Sequence, residues 1–363
     1  MRSDIHPHAA RDVPPLTVTR ELLERLPKTD LHVHLDGSLR PRTLIELATG
    51  QGQSLRSSDP AELAESMRTE VTRNLEEYLA RFETTLSVLQ HPDALERVAF
   101  ELAEDNAGEN VRYLEVRYSP ILHTRDGLPL TEAVTAPLRG LARAEEAYGI
   151  KTGLIICGIR DMEVGTSRDL ADLTVAFKGR GVVAFDLAGA ESNYPAKKHR
   201  DAFFTVINHN MATTIHAGEA YGPESIHQAL HYCRANRIGH GTRLYEDPDL
   251  MRYVNDFRVP LEICLTSNVQ TGAVASYADH PLRRYYDAGL VVTLTTDNRL
   301  MSDTTVTDEY WKAHEHLGFT WSELTHVARM GFESAFLHRE EKQALIAAVE
   351  AVIEGIEAET AAG

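Results

Sequence analysis

The chain has 363 residues, which at about 150 residues per domain predicts two domains or one α/β barrel with insertions. Hydrophobic residues make up 43% and charged residues 25%, a balance that excludes disordered, collagenous and coiled-coil chains. With 37 Lys and Arg against 54 Asp and Glu the net charge is -17, which opposes binding to nucleic acid or an anionic membrane and favours a small, weakly charged partner.

The first fifteen residues, MRSDIHPHAARDVPP, are polar and contain Pro, so 1–15 is expected to be a loose arm and 16–363 one domain. No apolar signal-like region stands there, and no run of about 18 apolar residues occurs later, so a cytoplasmic location without a membrane span is expected. Cys157, Cys233 and Cys264 are odd in number and form no CxxC pair, which predicts buried, reduced thiols.

In chain order, eight short β-branched or apolar runs stand out: 30–35 (DLHVHL), 111–118 (VRYLEVRY), 152–158 (TGLIICG), 182–187 (VVAFDL), 212–217 (ATTIHA), 237–240 (RIGH), 261–265 (LEICL) and 290–296 (LVVTLTT). Helical periodicity lies between them, for instance over 131–148 and 225–235. Eight strands alternating with helices predict a parallel (β/α)₈ TIM barrel, with a doubly wound open sheet as the alternative. About 75 residues separate the first two runs. That insertion, 41–105, reads as several helices, including NLEEYLARFETTLSVLQ, placed to cover the barrel mouth. A helical tail is expected from Trp321 onward.

Strand periodicity in DLHVHLD puts His32, His34 and Asp36 on one face and Leu31, Val33 and Leu35 on the other. In a closed barrel the apolar face packs on helices, so the histidines point inward. An isolated HxH is as often a pair of hydrogen-bonded core histidines as a metal site. His216 in ATTIHA, His240 in RIGH and Asp297 after TLTT stand at other strand C-terminal ends, where barrel active sites form. His32, His34, His216 and Asp297 together offer three imidazoles and a carboxylate, a donor set suited to Zn²⁺. Glu219, three residues beyond His216, faces the same mouth as a general acid/base or else caps the next helix. His240 orients or deprotonates a water, or packs behind the ligands.

TDLHVHLDGSLRP, VRYLEVRYSP, DLAGAE, IHAGEA, RIGHG, TSNVQTGA and TTDN, in this order, closely resemble the adenosine deaminase family of metal-dependent amidohydrolases. The resemblance implies one Zn²⁺ per chain, held by His32, His34, His216 and Asp297, with a water that attacks C6 of a 6-aminopurine nucleoside. It implies further that Glu219 protonates purine N1, that His240 orients and activates the attacking oxygen, and that Gly189 offers its N–H to N3. Asp36 and His34 would meet the sugar 5′-hydroxyl. Without the resemblance, Gly189 reads as a turn residue and Asp36 as a cap of the turn at Gly37–Ser38. The fourth run has no lysine to bridge a second metal, and the HxE…PCxxC signature of other zinc nucleobase deaminases is missing.

One departure concerns the residue after Asp297. The family often has a second Asp there to donate to purine N7, and this chain has Asn298, whose amide donates at any pH. The implied reaction is deamination of adenosine or 2′-deoxyadenosine. Alternatives are 6-amino-6-deoxyfutalosine, for which Arg40 or Arg117 could supply a cation near the 5′ side, free adenine, and a non-catalytic metal- or ligand-binding relative. Glu219 and His240 beside the complete ligand set argue against the last.

Overall fold

The computed structural model describes residues 16–68 and 81–362. The expected arm, 1–15, and part of the expected helical run at 74–90 lie outside the described residues. Eight strands follow one another around a parallel sheet in sequence order: β1 (Lys28–His34), β2 (Val111–Tyr118), β3 (Lys151–Ile159), β4 (Val182–Ala188), β5 (Ala212–Ala217), β6 (Arg237–His240), β7 (Leu261–Ile263) and β8 (Val292–Leu294). A parallel bridge between Val33 and Asp297 closes the ring, through His34 N–H to Asp297 O and Asp297 N–H to His32 O, each 2.7 Å. That closure makes the fold a TIM barrel and removes the open-sheet alternative.

The alternation in β1 explains its orientation. Leu31, Val33 and Leu35 join the apolar core, while Asp30 and His32 are buried among polar partners inside the barrel. β7 and β8 are shorter than the predicted 261–265 and 290–296. After Ile263 the chain turns into a helix, Leu265–Gln270, that leans over the mouth. Beyond β8, Thr296 N–H is taken by the Asp30 side chain at 3.2 Å, which interrupts the regular ladder between Leu294 and the closing bridge at Asp297.

The helical insertion and the helical tail are both present, and their packing adds detail. The insertion at 41–105 is not wholly a cover: its last helix, Pro92–Gly108, packs on β2 and on the helix Leu130–Tyr148 and belongs to the outer ring. Gly140 lets those two helices meet, because a Cβ there would lie 2.1 Å from Glu96 O. Likewise Trp321–Ser334 packs on β8 and β1 as a ring helix, so the tail proper is Arg339–Ala362. Several helix starts carry side-chain caps. Asp59 and Asp247 accept N–H bonds from the first turn, and Thr305 and Thr320 form capping boxes, each worth about 1 kcal/mol. No described helix is long and apolar enough to cross a membrane, and all three cysteines are free and buried.

Candidate active site

The C-terminal ends of the strands deliver the expected ligands to one place. His32 and His34 come from β1, His216 is the last residue but one of β5, and Asp297 follows β8 at the closing bridge. Their ligating atoms all lie within 4.8 Å of one another. His34 Nε2 is 3.1 Å from His216 Nε2, and Asp297 Oδ1 is 3.5 Å from His32 Nε2 and 3.4 Å from His34 Nε2. Donors bonded at about 2 Å to one ion lie about 3 Å apart, so these spacings fit a single cation.

Beneath the site runs a buried layer of charges that settles how the imidazoles present themselves. Glu262 Oε2 takes His32 Nδ1 at 2.9 Å, and Asp186 takes His216 Nδ1 at 3.0 Å. A carboxylate only accepts, so each Nδ1 carries the proton and each Nε2 presents its lone pair to the site. His32 Nε2 is buried without a hydrogen-bond partner, a bare nitrogen whose chemistry fits a cation. Arg117 bridges Asp186 and Glu262 at 3.0 and 2.9 Å, and Arg237 joins Glu262 at 2.6 Å and also Glu115. Burial alone would raise the Glu262 carboxyl, yet Arg117 and Arg237 hold it well below its ordinary range. Three carboxylates against two guanidiniums leave this layer net negative, which favours a cation above it.

Glu219 stands beside the ligands with 5% of its surface exposed. Burial, and then the negative charges of Asp297 and Glu191, push its carboxyl well above the ordinary range. Thr271 Oγ1 donates to its Oε1 at 3.2 Å, and His240 Nε2 lies 3.6 Å from its Oε2. The loop that carries Glu219 is held by Glu191, whose carboxylate accepts the backbone N–H groups of Gly218, Glu219, Ala220 and Tyr221 at 2.7 to 3.0 Å. Asp297 and His240 both have left-handed backbones, with φ of 60° and 63°, strain of the kind that gathers at functional sites. Gly239 permits the crowding beneath them: a Cβ there would lie 3.1 Å from His32 Cε1 and 3.2 Å from His216 Cα.

A cavity of about 250 Å³ opens above these groups, lined by His34, Asp36, Gly189, His216, Glu219, His240, Asp297 and Asn298. Every sequence-predicted site residue therefore lines it except His32, which lies beneath. Phe82 and Leu86 come from the insertion to form one wall, so that segment does reach the mouth. Asp36 and Ser119 line the cavity, and their Oδ1 and Oγ are buried without hydrogen-bond partners. Asn298 Oδ1 is also unpartnered and rests against Gly37. No Lys or Arg lines the cavity among the described residues. Arg117 is fully buried in the charge layer, and Arg40 is held by Glu104 and Asp105 at 2.6 and 3.0 Å, so neither arginine serves the cavity.

Sequence reasoning missed the supporting residues. Asp186, Glu191 and Glu262, and Ser267, Asn268 and Thr271 on or just after the Leu265–Gln270 helix, stand behind the cavity lining and not in it. Their signal was present, since DLAGAE and TSNVQTGA hold five of the six, but nothing in those strings says which neighbour each side chain meets.

Comparison with known proteins agrees with this geometry. The family model described as adenosine deaminase matches residues 27–352. An adenosine deaminase of Mycobacterium marinum is 42% identical over 346 residues, covering 90% of this chain and 95% of its own. Among solved structures, an adenine deaminase from Arthrobacter aurescens superposes with a TM-score of 0.85 at 29% identity, over 91% of this chain and 99% of its own. An N6-mAMP deaminase from Arabidopsis superposes with a TM-score of 0.81 at 28% identity, over 91% and 99%. The chain belongs to the adenosine deaminase family, hydrolases that act on a C–N bond.

Proposed function

We propose that this protein is a zinc-dependent cytoplasmic deaminase converting adenosine and 2′-deoxyadenosine to inosine and 2′-deoxyinosine with release of ammonia. The observation that carries the reading is Glu219, buried with its carboxyl pushed well above the ordinary range, beside His240 and a convergent three-imidazole, one-carboxylate set, in a cavity whose described lining has no cation. A nucleotide phosphate, or the aryl carboxylate of 6-amino-6-deoxyfutalosine, would meet no positive side chain among the described lining residues. A sugar would meet the polar residues Asp36 and Ser119 in the cavity lining, which free adenine would leave without a ligand group.

His32, His34, His216 and Asp297 would hold one Zn²⁺, which when bound supplies a Lewis acid that makes water nucleophilic at neutral pH. Glu219 accepts from Thr271 at Oε1, which leaves Oε2 to carry its proton. In the reaction Oε2–H donates to purine N1 and makes C6 electrophilic. His240 Nε2 faces the same space and orients the attacking oxygen. Gly189 binds N3 through its N–H, Asn298 binds N7 through its amide, and His34 and Asp36 meet the 5′-hydroxyl. The phenylalanine and leucine wall excludes bulk water from the ring.

The test is parallel turnover of adenosine, 2′-deoxyadenosine, adenine, AMP and 6-amino-6-deoxyfutalosine by zinc-replete protein, followed by absorbance. The expected result is kcat/KM of about 10⁴ M⁻¹s⁻¹ or more for the two nucleosides and values at least about a hundredfold lower for the others. Preference for AMP or for the 5′-extended nucleoside would overturn the reading.

A further inference from the structure

The TSNVQT segment provides the side chains that touch the reacting groups from behind. Ser267 Oγ donates to Asp297 Oδ2 at 2.5 Å, Asn268 meets His240 Nδ1 at 3.0 Å, and Thr271 donates to Glu219. Behind Asn268 stands His280, a buried imidazole that touches neither the cavity nor the ligands.

These contacts form a chain in which every proton can be assigned. The backbone N–H of Leu282 can only donate, and it points to His280 Nδ1 at 3.1 Å, so that nitrogen is bare. Burial lowers His280 to about 3, so the ring is neutral at working pH and its proton sits on Nε2. Nε2–H then donates to Asn268 Oδ1 at 3.2 Å. That bond fixes the orientation of the amide and turns its NH₂ toward His240 Nδ1. An NH₂ group only donates, so His240 Nδ1 accepts, and the ring proton of a neutral His240 must lie on Nε2, the atom facing Glu219 and the cavity.

We propose that Leu282, His280 and Asn268 lock His240 as the Nε2–H tautomer, so that it acts in the reaction as a hydrogen-bond donor to the attacking oxygen and not as the base that deprotonates it. The two protons of that oxygen pass in turn to Glu219 after it has given its own to N1, the first going on to the amine, which leaves as ammonia, and the second restoring the Glu219 acid. A base would need a bare Nε2 and, on taking the proton, a partner at Nδ1 that welcomes positive charge. The Asp of a serine-protease triad is such a partner. An amide NH₂ is the opposite, because its hydrogens would face an imidazolium N–H. Asn268 and His280 are positioning residues in this arrangement, since they act only through His240. The tautomer stands on hydrogen bonding alone, and its catalytic consequence rests on the deaminase reading above.

The test begins with the unaltered, zinc-replete chain labelled with ¹⁵N-histidine. Proton–nitrogen correlation spectra are recorded, and the His240 signals are identified by their loss in His240→Gln. The expected result is a bare Nδ1 and a protonated Nε2, and a proton found on Nδ1 would overturn the proposal with no variant needed. Asn268→Asp is the paired experiment, because a carboxylate still accepts from His280 but now also accepts from His240 Nδ1. It is expected to reverse the tautomer and lower kcat at least tenfold with KM changed less than about twofold. A reversed tautomer with unchanged kcat would overturn the donor role while leaving the assignment of the proton intact. Inactivity of the unaltered enzyme on every nucleoside would instead remove the deaminase reading, and the spectrum would still decide the tautomer.

Discussion

Glu262 Oε2 lies 2.9 Å from His32 Nδ1 and 2.9 Å from Arg117 Nη2. One carboxylate oxygen thus orients a candidate metal ligand and anchors it to a guanidinium that is itself tied to Asp186, the partner of His216. The two histidines are therefore aligned through a single buried chain of ion pairs in the barrel interior. Such a chain is costly to desolvate and depends on every member being present.

Removing the charge at Glu262 tests that dependence. Glu262→Gln leaves Arg117 and Arg237 underneutralised and lets His32 rotate. The expected loss is about 10- to 100-fold in zinc affinity and about 3 kcal/mol or more in stability. Chelator competition and urea unfolding measure the two separately. Unchanged zinc affinity would mean that His32 is held by packing alone.

Glu219→Gln is nearly isosteric and keeps the acceptor for Thr271, but it removes the proton that Oε2 would deliver. Turnover of adenosine is expected to fall by about 10² to 10⁴, the span of general acid–base catalysis, with zinc content unchanged by elemental analysis. Retained activity would exclude Glu219 from proton transfer.

The barrel was legible because alternation in DLHVHL and repeated strand-helix periodicity leave little choice of fold, and the convergence of the candidate ligands was legible because strand ends meet in a closed barrel. Other features were not. The ring helices Pro92–Gly108 and Trp321–Ser334 were read as cover and tail, since an amphipathic helix carries no mark of which surface it will meet. Arg117 looked like a candidate for binding the substrate's 5′ side because sequence gives its charge but not its neighbours. The Asn268–His280 contact joins residues 12 apart through a turn whose geometry only coordinates supply.

Asn298 stands where the family often has Asp, with its Oδ1 against Gly37. If its NH₂ binds purine N7, Asn298→Ala should raise KM about tenfold, the worth of one buried hydrogen bond, with a smaller effect on kcat. Asn298→Asp should bind substrate well only while the carboxyl is protonated, so its KM should climb as pH rises, whereas the unaltered enzyme shows no such climb from this site. Equal KM values for all three proteins would remove Asn298 from recognition.

Gly239 gives a steric test of the ligand geometry. The Cβ of Gly239→Ala would press on His32 Cε1 and the His216 backbone, and relief of that pressure would move these two candidate ligands relative to one another. Overpacking of this kind costs about 1 to 3 kcal/mol. The expected outcome is a folded protein by circular dichroism that binds less than one equivalent of zinc under conditions that saturate the parent. Full zinc occupancy would show that the ligands tolerate the displacement.

Lys28 lies at the opposite end of the barrel from the site, fully buried, with Nζ donating to Leu23 O and Leu26 O. Burial lowers its pKa to about 7, against about 10.4 for a lysine in the unfolded chain. Between those values the unfolded chain binds a proton that the folded chain does not, so stability from this site rises with pH. The slope is about 1.4 kcal/mol per unit, flat below about 7 and above about 10. Lys28→Met lacks this titration while keeping the others, so the stability of the parent minus that of the variant should increase between pH 7 and pH 10. Urea midpoints at both values measure it, and parallel behaviour of the two proteins would show that Lys28 stays charged inside the fold through its two carbonyl partners.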